Sequence, residues 1–284
     1  MQKIILENPQ GETTEFVNRP PYIFWTLDGV NLPSSEIVRS TAPGQDGYSF
    51  QGVRLLERPL TLACHVHGTG GMADFYALRR ELMRRLCPVI GLSRLTYEND
   101  AGAWYIYAIV KSITPQERVR NIQTLSVELE CPDPYWHSAK ESSFRMLYVD
   151  GGFSFPYSFP VQFGLRGYRQ TIHNDCNCML PMEIRISGGA VNPYIKNTST
   201  GEYIKIQKEI PAGKTLYIST DFESPEVSIR DSSNVVETNA FGYMTADSSL
   251  FRLSPGENAL EFDSTDNTTT ATITISYYER AAGL

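Results

Sequence analysis

Short β-favouring segments, bounded by glycine, proline, asparagine or aspartate, recur along almost the whole chain. Residues 3–7, KIILE, and 12–17, ETTEFV, flank the turn at 8–11, NPQG, in the manner of a hairpin. The 284 residues include 16 Tyr and 13 Phe, which favour strands, and 17 Pro and 21 Gly that are spread among them. The pattern predicts a mostly β protein in which many short strands are joined by turns.

One segment has helical periodicity instead. Within residues 72–86, MADFYALRRELMRRL, the apolar side chains share one helical stripe, which consists of Phe75, Leu78, Leu82 and Leu86. Cys87-Pro88 follows, and the residue before a proline avoids helical backbone angles. We therefore expect one helix over 72–86, with its arginines on the flanking and opposite faces.

The rest of the first half reads as strands and one loop. The predicted strands are 22–27, 53–66, 93–98, 103–113 and 121–130. Residues 40–52, STAPGQDGYSFQG, hold four glycines or prolines and are predicted to form a loop. Pro59 indicates a sheet edge or a bulge, because proline cannot donate to the hydrogen-bond ladder.

A proline-rich stop, CPDPYW at 131–136, ends the last of these strands, and residues 137–160 have no regular period. We place a domain boundary here, which gives an N-terminal domain over 1–137 and a C-terminal domain over 138–284. The second domain has no helical pattern, and its predicted strands are 160–165, 168–173, 181–187, 192–197, 202–207, 214–219, 226–230, 249–253, 257–263 and 269–278. Turn residues separate them at short intervals, which favours an antiparallel β-sandwich, most simply a jelly roll.

The charge and the cysteines narrow the classes of function. A formal net charge of −7 argues against tight DNA binding, which needs a basic excess to neutralise phosphates. There is no apolar run of signal-peptide or membrane-spanning length, so we expect the chain to fold in a cytoplasm without inserting into a membrane. The 5 Cys are an odd number without even spacing, which predicts free thiols.

Residues that could carry chemistry do not form a recognisable set. His65 and His67 would share one face of a strand beside Cys64, but no third metal ligand follows at a suitable spacing. No nucleophile elbow, phosphate-binding loop or dinucleotide-binding motif occurs, and no carboxylate pair stands out. The sequence predicts a protein that is not an enzyme and that has no metal site and no cofactor.

Several short segments are informative when they are taken together. In chain order they are 40–47 STAPGQDG, 50–52 FQG, 58–60 RPL, 78–82 LRREL, 95–99 LTYEN, 127–136 VELECPDPYW, 192–193 NP, 197–202 NTSTGE, 210–213 IPAG and 253–258 LSPGEN. In this order they resemble the distal tail protein family of siphoviruses. The resemblance covers nearly the whole chain. The CPDPYW segment and the order of the pieces carry most of it.

This resemblance implies a split-barrel N-terminal domain with one helix and a galectin-like C-terminal sandwich. It implies a structural virion protein of the phage tail tip, assembled in the cytoplasm of the host bacterium as a hexameric ring. The tail tube protein, the tape-measure protein and a tail-associated fibre, lysin or receptor-binding protein would be its neighbours. DNA would pass through the ring, and an acidic channel would let it slide. Both domains are close to minimal, with no room for the carbohydrate-binding modules that some members carry, which argues against direct receptor recognition.

A cyclic ring needs a head-to-tail interface in which two different patches of one subunit meet. We expect the loop over 40–52 and the helix over 72–86 to provide them, since arginine is favoured at interfaces. The candidate interface residues are Gln45, Asp46, Tyr48, Arg79, Arg80, Arg84 and Arg85.

Two other functions remain open on the residues alone. The C-terminal sandwich could bind a glycan through aromatic platforms, and the candidate aromatic residues are Tyr194, Tyr203, Tyr217, Phe241 and Tyr243. Packing on strand faces is the favoured interpretation of these residues, because sheets use aromatic side chains for packing in any case. A hydrolase is the third possibility, and it lacks any matching constellation of residues.

Overall fold

The computed structural model of the protein describes residues 2–150, 166–222, 224–265 and 271–284. The chain forms two compact units, which are Met1–Ala139 with Arg280–Leu284, and Lys140–Glu279. Each unit has its own cluster of buried apolar side chains. Residues 280–284, which the sequence assigned to the C-terminal domain, lie in the first unit. Among the described residues, none of the helices is long and apolar enough to cross a bilayer.

The first unit is built on nine antiparallel strands. In chain order, β1 to β9 are Lys3–Glu7, Thr13–Phe16, Tyr22–Asp28, Ser35–Ser40, Ser49–Leu55, Arg58–His67, Ser93–Asn99, Gly102–Val119 and Ile122–Cys131. Two sheets run in the orders β2-β1-β7-β8 and β8-β9-β6-β3, and β8 belongs to both. Strands β4 and β5 form a separate hairpin.

The long strand β8 joins the two sheets because it bends. Its first half pairs with β7 and its second half with β9. Register shifts between Val110 and Ser112, and between Pro115 and Arg118, mark bulges, which kink a strand and increase its twist. At the other end a bridge between Val17 and Ile23 links the sheets. The unit is therefore a split barrel, as the resemblance implied.

The single α-helix, α1, spans Met72–Arg85 and packs on β6. Phe75 and Leu82 are both 0% exposed, and full burial of such a side chain contributes about 1.5–3 kcal/mol. Gly68 permits the close approach, because a Cβ at that position would lie 2.5 Å from the backbone nitrogen of Phe75. The predicted helix is confirmed within one residue at its C-terminal end, and a 3-10 turn over Pro88–Ile90 follows.

The second unit consists of short antiparallel strands. Strand β10 spans Trp136–Arg145, of which residues 136–139 belong to the first unit. Strands β11 to β22 are Leu147–Asp150, Arg166–Asn174, Met182–Ser187, Ala190–Val191, Tyr194–Asn197, Tyr203–Lys205, Glu209–Ile210, Thr215–Ser219, Glu226–Arg230, Val236–Asn239, Gly256–Asp263 and Thr272–Ala281, and residues 280–281 of the last belong to the first unit. One sheet runs β22-β13-β18-β19-β20 and the other β11-β12-β21-β15-β16. Ile184 and Ile218 of the first share a core with Leu260 and Phe262 of the second. The predicted antiparallel sandwich is thus confirmed, and its galectin-like topology stays a prediction.

Three local predictions were wrong, and two of them concern the exposed strand β5. Residues 49–52 of the predicted 40–52 loop belong to β5, whose exposed side chains leave no burial pattern to detect. The predicted strand 53–66 is two strands, β5 and β6, because Leu56 donates its N–H to the Ser34 carbonyl at 2.9 Å and closes the hairpin there.

The third error concerns residues 249–253, which are not a strand, although a single bridge joins Leu253 to Leu180. Their apolar side chains are covered without a ladder. Residues 137–145, where the sequence shows no regular period, continue β10, which begins at the buried Trp136 after the prolines at 132 and 134. The predicted strand 160–165 lies outside the described residues.

Candidate assembly interface

The β4–β5 hairpin stands apart from the barrel, and we call residues 35–55 the arm. Within the described part of the chain its two strands pair with no other strand. Ile37 lies opposite Val53, and Glu36 lies opposite Arg54, whose Nε donates to the Glu36 carboxylate at 2.5 Å. Nearly every residue of the arm is exposed. An exposed hairpin of this kind is a candidate for contact with another molecule.

The arm is also apolar for an exposed hairpin. Its exposed apolar side chains are Ile37, Val38, Tyr48, Phe50 and Val53. Phe50 is 66% exposed. Contiguous exposed apolar residues mark interaction surfaces in soluble proteins. Sequence reasoning identified Tyr48 and missed the others, because a strand that is exposed on both faces has no alternation between buried and exposed positions.

The predicted residues Gln45, Asp46 and Tyr48 lie together at the turn of the arm. The Gln45 side chain organises this turn, since its Oε1 accepts from the Ala42 N–H at 3.0 Å and its Nε2 donates to Ser49 Oγ at 3.2 Å. Tyr48 lies under the Arg39 guanidinium, 5.4 Å from the ring centre. Asp46 is exposed, and it has no hydrogen bond or ion pair within the described ranges.

The predicted arginines of α1 divide into two pairs. Arg84 is held by two carboxylates, with Nη2 at 2.6 Å from Glu12 Oε1 and at 2.8 Å from Glu81 Oε1. Arg85 donates from Nε to Glu81 Oε1 at 2.8 Å and from Nη1 to the Thr13 carbonyl at 2.8 Å. Both arginines thus fasten the helix to the β1–β2 hairpin of their own subunit.

These contacts change the acidity of the carboxylates. Hydrogen bonds from Arg84 and Arg85 lower the pKa of Glu81 to about 2. The pKa of Glu12 is also lowered, first by its hydrogen bond from Arg84 and then by that from Asn8. Glu12 and Glu81 are therefore ionised throughout the physiological range, and the network is held together by full charges.

The side chains of Arg79 and Arg80 form no ion pair or hydrogen bond among the described residues. Arg80 is exposed and Arg79 is half-buried. Exposed apolar side chains accompany them at the N-terminal end of the helix and at the nearby β8–β9 turn, where Arg118 donates to the Tyr76 hydroxyl at 3.0 Å. We call this surface the helix patch, and its members are Met72, Tyr76, Arg79, Arg80 and Val119.

The histidines that the sequence singled out are part of a strand. His65 Nδ1 lies 2.9 Å from Thr124 Oγ1, and the ring contacts Trp25 edge-on with centres 5.3 Å apart. Cys64 points to the core at 0% exposed, and burial raises the pKa of its thiol to about 12. The described residues contain no group of three or more His, Cys, Asp or Glu side chains placed to hold a metal ion.

Three of the five aromatic candidates for glycan binding are engaged in the sandwich. Tyr217 is 8% exposed, and Arg230 lies 3.6 Å above its ring. Tyr194 and Tyr203 contact one another with ring centres 5.2 Å apart, and the Tyr203 hydroxyl donates to the Asp247 carboxylate. These side chains are used for packing and intramolecular hydrogen bonds.

The other two aromatic candidates, Phe241 and Tyr243, are partly open. They are 37% and 41% exposed, and the Lys208 ammonium lies 3.9 Å from the centre of the Tyr243 ring. A lysine therefore occupies one face of the Tyr243 ring. No platform of several open aromatic rings is formed by the five candidates.

Solved structures of phage tail proteins share this fold over the whole chain. The crystal structure of the SPP1 protein Dit (gp 19.1), described as a paradigm of the hub adsorption apparatus in phages that infect Gram-positive bacteria, matches with a TM-score of 0.70 and 14% identity, covering 98% of each chain. A chain of the phage P2 baseplate in its activated conformation with Ca matches with a TM-score of 0.57 and 11% identity, covering 100% of both chains. The same baseplate with Sr gives a TM-score of 0.55 at 11% identity, with 97% of this chain and 98% of that chain covered.

Family models identify both halves of the chain. Residues 10–131 match the phage tail protein RIFT-related domain, and residues 175–280 match the C-terminal domain of the siphovirus-type tail component. No curated protein sequence matches the chain. The two family domains occur here in one chain, in the two units that the structure separates, and the fold is that of a solved Dit protein. The chain therefore belongs to the siphovirus distal tail protein family.

Proposed function

We propose that this protein is the structural hub of a phage tail tip, in which copies of the first unit form a hexameric ring that connects the tail tube to the baseplate and lets DNA pass. The family and the fold support the hub role. The observation that carries the ring is the arm, an exposed apolar hairpin whose strands pair only with each other in the described part of the chain.

A ring has heterologous contacts, so each subunit must present two different patches that fit one another. The arm and the helix patch have the required properties. Phe50 and Ile37 of the arm can bury apolar surface against Tyr76 and Met72. The Asp46 carboxylate and the Arg80 guanidinium carry opposite charges, and neither forms an ion pair within the part of its subunit that the structure describes. We propose that the arm of one copy docks on the helix patch of the next.

This arrangement assigns the predicted arginines different roles. Arg79 and Arg80 are available to a neighbouring subunit, whereas Arg84 and Arg85 already bind Glu12, Glu81 and a backbone carbonyl. The intermolecular contact is accordingly proposed for the first pair. The second pair holds α1 in the position that presents them.

Negative-stain images and the solution mass of the purified chain test the ring directly. We expect six-fold rings for the parent and single subunits for Phe50→Asp and for Arg80→Glu, because each places an acidic charge in the contact. Val89→Asp and Arg19→Glu are matched controls, since Val89 is 91% exposed and Arg19 is exposed, and neither belongs to the arm or the helix patch. Both controls should form rings.

A charge swap makes the pairing itself testable. Asp46→Arg should weaken the ring, and the double variant Asp46→Arg with Arg80→Glu should restore part of it if these two side chains meet across the interface. A parent protein that stays monomeric at high concentration would contradict the ring. Rings from every single variant would contradict the assigned patches.

The remaining partners follow from the position of a hub. We propose the tail tube protein and the tape-measure protein on one side, and a tail-associated fibre, lysin or receptor-binding protein on the other, with synthesis and assembly in the host cytoplasm. DNA is cargo that passes through, in keeping with the net charge of −7. The protein is proposed to have no enzymatic activity, and a zymogram on cell-wall material that showed clearing would contradict this.

A further inference from the structure

Arg58, the first residue of β6, is 0% exposed and ranks among the largest fully buried side chains. Its guanidinium donates to four backbone carbonyls. Nε reaches Pro134 O at 2.8 Å, Nη1 reaches Gly29 O at 2.5 Å and also Asn31 O, and Nη2 reaches Ala282 O. One buried side chain thus joins three segments that are far apart in sequence.

The positive charge of Arg58 is stabilised by the dipoles of these four backbone carbonyl groups. In the described ranges it forms no ion pair, and burial lowers its pKa, although it stays charged as arginine does in proteins. Four of its five N–H groups are used, in the fixed fork geometry that a guanidinium provides. A lysine ammonium is a point donor with three N–H groups and cannot span the same four carbonyls.

Two of the carbonyls belong to the base of the arm, residues 29–34, through which the chain leaves β3. Gly29 has a φ of 90°, and a Cβ there would lie 2.2 Å from the Pro59 carbonyl oxygen. The chain therefore passes so close to the start of β6 that only glycine fits. This close passage is what brings the Gly29 and Asn31 carbonyls onto Arg58.

Residues 280–284 lie across the same base. Leu284 donates its N–H to the Val30 carbonyl at 3.3 Å, and a Cβ on Gly283 would lie 3.2 Å from backbone atoms of Asn31 and Leu32. At the start of this segment, the Arg280 guanidinium donates to the Asp133 carboxylate. These residues are thus fastened to the first unit at one end and rest on the base of the arm at the other.

We propose that Arg58 and residues 280–284 form a clamp that fixes the direction in which the arm leaves the first unit, so that these distant residues are required for the arm to reach a second copy of the chain. The inference rests on the proposed ring for its consequence. Its structural part, the direction of the arm, can be measured without a ring.

Pulsed EPR on spin-labelled non-canonical residues at Thr41 and Ala77 measures that direction, because the first lies at the turn of the arm, the second lies on α1, and both are exposed. The labelled protein is diluted into unlabelled protein, so that distances within one subunit are read. Two variants remove parts of the clamp. One is the chain shortened by residues 281–284, and the other is Arg58→Lys.

Both variants should broaden the distance distribution about twofold, because the base of the arm loses its anchor. Both should also weaken self-association at least about tenfold, because a more mobile arm loses more conformational entropy when it docks. Removal of Leu284 alone loses the hydrogen bond to the Val30 carbonyl but keeps the Ala282 carbonyl, so it should broaden the distribution less than removal of residues 281–284. Arg19→Lys, at an exposed position outside the arm, the helix patch and the clamp, is the matched arginine control and should change neither value.

Unchanged distances in both clamp variants would overturn the proposal. So would global unfolding of the first unit in both, since it would make Arg58 a general core residue instead of an anchor for the arm. Broadened distances with unchanged rings would overturn the link to assembly. A parent that never self-associates would count against the proposed ring, while the distances would still decide whether the clamp exists.

Discussion

Single ion pairs set the position of α1 on the barrel. Glu81 forms ion pairs with Arg84 and Arg85, and Glu12 forms a further ion pair with Arg84. The pKa of each carboxylate is lowered. The network is on the surface, where ion pairs contribute little individually and are screened by salt. The main effect of the network is to hold α1 in one orientation, which fixes the position of the helix face that bears Arg80.

The stability that Glu81 supplies should depend on pH. Its pKa falls from the ordinary 4.5 to about 2 in the folded protein, so the folded state binds fewer protons than the unfolded one in this range. The contribution is complete above about pH 5 and is lost as the pH falls toward 2. Glu81→Gln should lower Tm by about 1–3 °C at pH 7 and by less as the pH falls, as measured by circular dichroism.

Glu117→Gln is the control for that experiment, because Glu117 is exposed and has no hydrogen bond or ion pair among the residues described. It should leave Tm unchanged at each pH. A Tm difference for Glu81→Gln that persisted undiminished at pH 2 would show that the side chain acts through something other than its charge.

The position of Gly29 requires a glycine, because its φ is positive and the chain passes close to Pro59. Gly29→Ala adds a Cβ that clashes with the Pro59 carbonyl and strains a positive φ, which should cost about 1–3 kcal/mol or more of stability. Gly52→Ala on the arm meets no atom within 4 Å and should cost little. Urea unfolding of both variants measures the difference, and equal midpoints would contradict the close passage of the chain at Gly29.

At the scale of elements, the arm differs from every barrel strand in its hydrogen bonds. Strands β6 and β9 each pair on both sides, whereas β4 and β5 pair only with each other in the described structure. An isolated two-stranded hairpin is marginal in water. The arm is therefore expected to open locally far more often than the barrel, and to gain order when it docks.

Amide hydrogen exchange measures this behaviour. Amides of residues 35–55 should exchange much faster than those of β6 and β9 in dilute, dissociated protein, and they should slow when the protein is concentrated enough to assemble. Exchange in β6 and β9 is the internal control and should not change with concentration. Equal protection of the arm and the barrel in the dissociated protein would contradict an arm that needs a partner.

At the scale of the whole molecule, the two units have separate apolar cores. Leu82 belongs to the first core and Ile184 to the second, and both are 0% exposed. Truncating either to alanine should cost about 2–5 kcal/mol. A separate core in each unit means that each substitution should destabilise only its own unit.

Calorimetry of the parent should accordingly show two unfolding transitions. Leu82→Ala should lower the Tm of one and Ile184→Ala the Tm of the other, while Ala77→Ser, at an exposed position of α1, should move neither by more than about 1–2 °C. A single transition that both core substitutions lower equally would mean that the units unfold together.

The elements themselves could largely be predicted from the chain. The helix over 72–86 and strands such as 93–98 and 121–130 are specified by residues close in sequence, because their periodicity and their turn residues are local properties. The order of the short motifs likewise indicates a tail hub from the residues alone. The sequence could also suggest candidate interface residues, namely Gln45, Asp46, Tyr48 and the α1 arginines. Their contact with a neighbouring subunit stays a prediction.

Which of these residues already have partners within the subunit depends on the folded structure. Arg84 and Arg80 look alike in the sequence, and folding brings the first onto Glu12 and leaves the second without an ion pair in the described structure. The arm could not be predicted from periodicity, because an exposed hairpin buries neither face. The contact of Arg58 with Ala282 could not be predicted either, because the two residues lie far apart in the sequence. Local sequence sets the backbone conformation of each segment, but the choice of partners depends on which distant polar groups must be paired once water is excluded from them.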